Sequence, residues 1–107
     1  MRKDEPVYMI SVAARLCELH PQTLRMYERL GLVRPARIGS KNRMYSEMDL
    51  ERLRQIQRLT QEMGVNLAGV EVILGLLEKM QRMQEEMDVE VDRMHREMEE
   101  LLRRLEN

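Results

Sequence analysis

A seven-residue repeat in the last third of the chain is the feature that most constrains its fold. From Leu77 to Leu105, nine positions alternate at spacings of three and four residues, and eight of them are apolar. These positions are Leu77, Met80, Gln84, Met87, Val91, Met94, Met98, Leu101 and Leu105. Heptad spacing of this kind predicts a helix with one apolar seam, flanked here by Glu, Asp, Gln and Arg.

The length of this helix predicts that its seam needs a partner. At about 1.5 Å per residue, the segment from Leu77 to Leu105 spans roughly 43 Å. Such a rod cannot fold back on the small remainder of the chain and bury its seam. The simplest partner is a second copy, so we expect a homodimer held together by the nine seam residues. The heptads predict pairing without fixing whether the two helices run parallel or antiparallel.

Charge is distributed unequally along the chain, although the net charge is only −1. Residues 1–60 carry 12 Lys and Arg against 7 Asp and Glu, whereas residues 61–107 carry 6 against 12. Between Arg25 and Arg43 there are six cations and a single anion, Glu28. This asymmetry favours a front that faces nucleic acid and a solvated, acidic back.

The first part of the chain predicts a helix-turn-helix. Ser11 is a suitable N-cap for a helix over about 12–19, with Val12, Ala13, Leu16 and Leu19 on one apolar face. The His20-Pro21 pair then breaks the helix and starts a second one, which Gly31 ends after Leu30. Two short helices joined by a tight turn form the arrangement that inserts its second helix into DNA.

The segment 31–45 predicts a small β-hairpin, or wing, with "GSKN" at its tip. Ser46 and Asp49 resemble a capping box that starts a third helix over about 47–62. Gly64 would end that helix, and Asn66 would cap a fourth over about 67–74. We therefore expect a mainly α fold with two domains, a winged helix-turn-helix head over 1–75 and a dimerisation helix over 76–107. Residues 1–6 are expected to be loose.

Residue types on the second helix and the wing identify the candidate DNA contacts. Arg25, helped by Gln22 and Thr23, is expected to reach base edges, since these side chains suit the major groove. Arg29, Tyr27 and the wing residues would meet phosphate, while Met26 is a further exposed candidate on the helix. The wing set is Arg37, Lys41, Asn42, Arg43 and Tyr45. An ordinary solvated face remains the alternative. Tyr45 could instead be a core aromatic with its hydroxyl at the surface, and Tyr27 suits such a core position equally well.

Other chemistry finds little support in the sequence. No phosphate-binding glycine loop, no catalytic Ser/His/Asp set and no metal-spaced His or Glu pairs occur, so we expect no enzyme, no cofactor and no metal site. Cys17 has no second cysteine and is interpreted as a small buried residue. With no long apolar run and no signal sequence, the chain is expected to be cytoplasmic.

The chain resembles the MerR family of transcription regulators. The resemblance covers residues 10–75 and is carried by "TLRMYERLGL" (Thr23–Leu32), by the join from Arg43 to Leu53, and by "GVNLAGV" after Met63. It implies a dimeric winged-helix DNA-binding protein of bacteria. The stretches "VYMISVAA", "HPQTLR" and "GVNLAGV" resemble the heat-shock repressor branch, which implies binding to inverted repeats upstream of chaperone operons, with the DnaK chaperone as co-repressor.

The sequence departs from the family pattern at places that matter for function. Many relatives have Tyr-Tyr where this chain has Met26-Tyr27, which puts one contact in doubt. Sensing relatives carry cysteines near or beyond the dimerisation helix, and drug-sensing relatives append a ligand domain. This chain has no cysteine after Cys17 and ends at Asn107. Two alternatives stay open: an activator that responds to another effector, and a coiled-coil adaptor that binds protein.

Overall fold

Two short helices at the start of the chain form the predicted helix-turn-helix. In the computed structural model, which describes residues 2–39 and 42–107, α1 spans Ile10–Leu16 and α2 spans Pro21–Arg29. The N-cap predicted for Ser11 is wrong, because α1 starts two residues earlier than predicted, at Ile10, and its N-cap Met9 makes no side-chain capping hydrogen bond. Strand β1 (Tyr8–Met9) leads straight into the helix, so strand pairing rather than a side chain fixes its start.

The buried face of α1 is rotated from the predicted one. Ala13, Ala14 and Cys17 are buried, whereas Val12 and Leu16 are 40% and 46% exposed. Val12 and Leu16 have the same four-residue spacing as Ala13 and Cys17, but the two pairs point about 100° apart around the helix, so spacing alone does not show which pair is buried. Small side chains face inward because α1 packs closely against α2 and the sheet.

The turn into α2 and the end of α2 are both held by local hydrogen bonds. The His20 Nδ1 accepts the Gln22 backbone N–H at 3.0 Å, and Pro21 occupies the first helical position. At the other end, Gly31 has a φ of +77° and its N–H bonds the Glu28 carbonyl. The Leu32 N–H bonds the Tyr27 carbonyl, which completes a Schellman motif. The predicted stop at Gly31 is confirmed.

The predicted wing is present as part of a three-stranded antiparallel sheet. Strands β2 (Ala36–Ile38) and β3 (Asn42–Tyr45) form the hairpin, and β1 pairs with the other edge of β3 in the order β1-β3-β2. The register places Tyr8 opposite Tyr45 and Arg37 opposite Arg43. Strand β1 is not evident in the sequence, because two residues are too few to show an alternating pattern. Lys41, at the predicted tip, lies outside the described residues.

The N-terminal segment, predicted to be loose, is anchored to the rest of the head. The Met48 N–H bonds the Lys3 carbonyl at 3.1 Å, and the Lys3 ammonium lies 3.1 Å from the Glu51 carboxylate. The Tyr8 hydroxyl donates a hydrogen bond to Glu47. All these contacts join residues more than thirty positions apart, which composition alone cannot reveal.

The third helix, α3, spans Glu47–Gln57 and begins at the predicted capping box. The Ser46 hydroxyl accepts the Asp49 N–H at 3.1 Å, and the Asp49 carboxylate accepts the Ser46 N–H at 2.9 Å. The predicted continuation to residue 62 is helical but takes π geometry over Arg58–Glu62. There the Thr60 hydroxyl donates to the Ile56 carbonyl at 2.9 Å, and Gly64, with φ +68°, ends the segment.

The last helix, α4, runs without interruption over Leu67–Glu106. The Asn66 side chain accepts the Gly69 N–H at 2.8 Å, which confirms the predicted cap. The predicted end of a separate helix near residue 74 is wrong, because Gly75 continues the helix without a break. Val70 and Leu74 are buried. None of the helices within 2–39 and 42–107 is long and apolar enough to cross a membrane.

The chain divides into two compact units, one ending at Val70 and one beginning at Glu71. The core of the first unit collects apolar side chains from both helices of the helix-turn-helix, the sheet and α3. Its fully buried larger members include Leu24, Val33, Tyr45, Leu50, Leu53 and Ile56. The second unit is the remainder of α4, with side-chain pairs such as Arg104–Glu100 at 2.8 Å along its surface.

We predict that Ser46→Ala lowers the free energy of unfolding by about 1 kcal/mol, because it removes the cap of α3. Urea unfolding followed by circular dichroism at one fixed protein concentration measures this change. Ser11→Ala is the matched control, since Ser11 lies exposed within α1 and should be neutral. A larger loss for Ser11→Ala than for Ser46→Ala would contradict the observed start of both helices.

Candidate nucleic-acid interface

The outward face of α2 carries the side chains that the sequence predicted for base contact. Gln22, Arg25, Met26 and Arg29 follow the three-and-four spacing of a single helical face. Gln22 and Arg29 are exposed, and Arg25 and Met26 are partly exposed. The opposite face is fixed in the core by Leu24 and Tyr27, so the outward face is held rigidly. Its polar side chains are long donors of the kind that reach base edges and phosphates.

Two of the predicted residues on α2 lie away from this outward face. Thr23 is intermediate in exposure, like Arg25 and Met26, but it is rotated about 100° from Gln22 around the helix axis, towards Tyr27. Tyr27 is 5% exposed and belongs to the core. Of the two alternatives left open for Tyr27, its burial favours the core position.

The wing brings together the predicted cations of β2 and β3. Arg37 and Arg43 are direct cross-strand partners, with side chains 59% and 35% exposed. Asn42, at the start of β3, is exposed. Cross-strand partners project from the same face of a sheet, so both guanidinium groups lie on one side of the hairpin.

The single anion of the cationic stretch lies between these two arginines. Glu28 Oε1 is 2.8 Å from Arg43 Nε and 3.9 Å from Arg37 Nη2. The Glu28 side chain is only 16% exposed, and its second carboxylate oxygen is buried without a hydrogen-bond partner. The sequence showed Glu28 as an isolated anion but gave no sign that it meets the wing.

Tyr45 is fully buried, which contradicts its predicted phosphate contact. Its side chain is 0% exposed, and its hydroxyl is enclosed beside the Glu28 carboxylate. Burial, together with the nearby Glu28 carboxylate, raises the pKa of Tyr45 to about 12. An enclosed hydroxyl cannot reach a phosphate, so Tyr45 supports the wing from beneath instead.

Sequence reasoning also missed a link that positions the chain between α2 and the wing. The Arg52 guanidinium on α3 donates a hydrogen bond to the Leu32 carbonyl, just after the end of α2. The partners are twenty residues apart, and no local pattern indicates such a contact. Arg34, which follows on the same connection, is exposed and adds to the cationic surface.

The remaining candidate sites are a cysteine and the seam. Cys17 is buried as predicted; burial raises the pKa of its thiol, and its Sγ lies 3.8 Å from the Leu50 carbonyl oxygen. Within 2–39 and 42–107, no group of three or more His, Cys, Asp or Glu side chains could hold a metal ion.

On α4, the eight apolar seam residues are between 43% and 82% exposed. The Gln84 side chain donates a hydrogen bond to Asp88 of the same helix at 3.0 Å.

An exposed cationic helix of a helix-turn-helix beside a β-hairpin wing defines the class of winged helix-turn-helix DNA-binding proteins. Residues 8–77 match the model of the "MerR HTH family regulatory protein" family. The chain belongs to the MerR family of DNA-binding transcription regulators. That family consists of regulators rather than enzymes, as the sequence predicted.

Two curated relatives illustrate the similarity. A Streptomyces coelicolor protein described as "Putative heat shock protein HspR" is 57% identical over 76 residues, covering 71% of this chain and 50% of the relative. The "Mercuric resistance operon regulatory protein" of Bacillus cereus is 37% identical over 73 residues, covering 67% of this chain and 54% of the relative. The chain therefore spans about half the length of these relatives.

Solved structures share the fold. The regulator PbrR691 from Ralstonia metallidurans CH34, in complex with lead(II), matches with a TM-score of 0.64 and 26% identity, covering 89% of this chain and 77% of that one. HiNmlR, a "MerR family regulator lacking the sensor domain, bound to promoter DNA", matches with a TM-score of 0.57. At 24% identity, over 80% of this chain and 76% of that one, HiNmlR supports the fold alone.

We predict that Tyr45→Phe leaves DNA affinity unchanged, because the hydroxyl is enclosed and cannot meet phosphate. The free energy of unfolding should change by less than about 1–3 kcal/mol, the usual range for one buried polar group, because Phe fills the same space beside the Glu28 carboxylate. Anisotropy titration and urea unfolding measure the two quantities. A clear loss of DNA affinity in a stably folded Tyr45→Phe protein would contradict this prediction and show that the hydroxyl does contact phosphate.

Alkaline unfolding provides a second test of the Tyr45 environment. The folded pKa is raised, so the phenol stays neutral in the folded protein while it ionises in the unfolded chain from about pH 10. Wild type should therefore lose about 2 kcal/mol of unfolding free energy relative to Tyr45→Phe as the pH rises from 10 towards 12. The difference between the two proteins isolates this group from other alkaline effects. If the unfolding free energies of wild type and Tyr45→Phe changed equally with pH, the pKa of Tyr45 would not be raised by folding.

Proposed function

We propose that the chain is a repressor of heat-shock or chaperone genes that binds an inverted-repeat operator as a homodimer. The observation that carries the proposal is the rigid outward face of α2, with Gln22, Arg25 and Arg29 presented beside a cationic wing. The identity of 57% with the protein described as HspR supports the heat-shock assignment. We propose a head over 1–75 and a dimerisation helix over 76–107.

In the proposed complex, α2 enters the major groove and the wing meets the flanking backbone. Arg25 reads a base edge, with Gln22 and Thr23 contributing at the margin and Met26 offering an apolar contact. Arg29 and the wing residues Arg37, Lys41 and Asn42 meet phosphates, with Arg43 beside Arg37 on the same face of the hairpin. Tyr45 supports this surface from within the core.

The exposed seam of α4 supports the proposed homodimer. Its residues fall at consecutive first and fourth heptad positions, so they form one stripe along the helix. Soluble proteins rarely leave so long an apolar stripe uncovered. A two-fold dimer would place the two copies of α2 on half-sites separated by a whole number of helical turns, which requires an inverted repeat.

Repression then follows from occupancy of promoter DNA in the bacterial cytoplasm, where the protein would associate with the nucleoid. The proposed co-repressor is the DnaK chaperone, because the resemblance to the heat-shock repressor branch implies it. Binding of DnaK to the DNA-bound dimer would link repression to the supply of free chaperone.

Fluorescence-anisotropy titration tests this function directly. A labelled duplex with the inverted repeat of a chaperone promoter is compared with a scrambled duplex of equal length, each at two salt concentrations. Tight binding of two chains to the inverted repeat alone supports the proposal. Binding that ignores sequence, and that added DnaK does not change, would remove the repressor assignment and favour a protein-binding adaptor.

We predict that Arg25→Ala costs about 1–3 kcal/mol of binding free energy on the inverted repeat and relaxes the preference at one base position. Titrations against duplexes substituted at single positions measure this effect. Arg103→Ala removes the same charge from the exposed surface of α4 and serves as the matched control. Equal losses for both variants, or an equal loss of Arg25→Ala on scrambled DNA, would contradict base reading by Arg25.

We predict that Val91→Glu, a charge in the centre of the seam, dissociates the dimer and abolishes operator binding. Val89→Glu is a matched control, because Val89 is 66% exposed and lies off the seam two residues away. Sedimentation equilibrium measures the mass of each variant, and circular dichroism verifies that each remains helical. If Val91→Glu stayed dimeric, the seam would not be the dimer interface.

A further inference from the structure

The wing contains an arrangement of charge that is unfavourable by itself. Arg37 and Arg43 stand directly opposite each other in the antiparallel pair of β2 and β3. Like charges at directly opposed positions destabilise a strand pair. Tyr45 lies two residues beyond Arg43 and therefore on the same face of β3. A counter-charge on this face would offset the repulsion between the two arginines.

Glu28 on α2 supplies that counter-charge, and its carboxylate lies closer to Arg43 than to Arg37. Its Oε1 lies 2.8 Å from Arg43 Nε but 3.9 Å from Arg37 Nη2. Arg43 is also the less exposed side chain, at 35% against 59% for Arg37. The buried position of the Glu28 carboxylate strengthens its attraction to Arg43, because water screens it little.

We propose that Glu28 is a positioning residue of the DNA interface that divides the roles of the two wing arginines. The Glu28 carboxylate pairs with Arg43, and this pair holds the wing against α2. Arg37, which lies farther from Glu28, is then available to contact a phosphate. The wing thus presents one net arginine charge to DNA, although the sequence places two there. This inference rests on the proposed role of the wing in meeting phosphate.

The division of roles has a measurable electrostatic signature. Each phosphate neutralised by the protein steepens the fall of log K with log salt by about 0.9 on duplex DNA. Glu28→Gln keeps the size of the side chain but releases Arg43 as a second free cation. The slope of log K against log salt should therefore be steeper by about 0.9 in Glu28→Gln than in wild type. The affinity advantage of Glu28→Gln over wild type should then fall by about 3.5-fold when the salt concentration is raised fourfold.

Four proteins test the inference on a duplex of random sequence, so that no operator is required. These are wild type, Glu28→Gln, Arg37→Ala and the double variant, each titrated by anisotropy over a range of salt. Arg37→Ala should make the slope shallower by about 0.9, because it removes the free arginine. The double variant should return to the wild-type slope, since Arg43 then replaces Arg37 as the free cation. Glu62→Gln, an exposed carboxylate of the same unit, controls for the loss of one negative charge.

The outcomes separate the inference from the proposed function. A purely structural role for Glu28 predicts a lower melting temperature with an unchanged salt slope, and that result would overturn the inference while leaving DNA binding intact. The same steepening in Glu62→Gln would also overturn it. If Glu28→Gln does not fold, an unchanged slope in Arg37→Ala remains sufficient to reject the division of roles. A wild type that fails to bind any duplex would reject the inference and the proposed function together.

Discussion

The pairing of β3 with strands on both of its sides is the interaction on which the rest of the head depends. Its β1 edge ties the N-terminal segment and the start of α1 to the sheet, and its β2 edge forms the wing. Immediately after β3, Ser46 caps α3. Tyr45, at the end of β3, fills the core beneath the wing. One four-residue strand therefore sets the positions of the wing, α1 and α3 together.

A single carboxylate, that of Glu28, links α2 to the wing. Glu28 belongs to the helix proposed to read DNA, and its partners belong to the wing. The ion pairs therefore join the two elements that must act on the same duplex. Partial burial strengthens the joint, because water screens its charges little. Such a joint would let the helix and the wing approach DNA as one surface.

Local sequence patterns predicted part of the candidate site correctly. Sequence spacing was sufficient to place Gln22, Arg25, Met26 and Arg29 on α2, and the structure puts all four on its outward face. The same spacing was uninformative about Tyr45, since an aromatic residue with a polar tip suits both a surface and a core. Thr23 and Tyr27 were included by residue type, and only the burial of Tyr27 in the core shows that its side chain turns inward.

The sequence by itself determined the features that arise within a few residues of one another. These include the break at His20-Pro21, the end of α2 at Gly31, the capping box at Ser46 and the seam of α4. Each depends on backbone geometry or helical periodicity, which neighbouring residues specify. Only the tertiary structure decided which face of α1 is buried, that β1 exists, and that Glu28 meets Arg37 and Arg43. Those features depend on contacts between residues far apart in sequence, and their energies come from packing and charge that no local pattern contains.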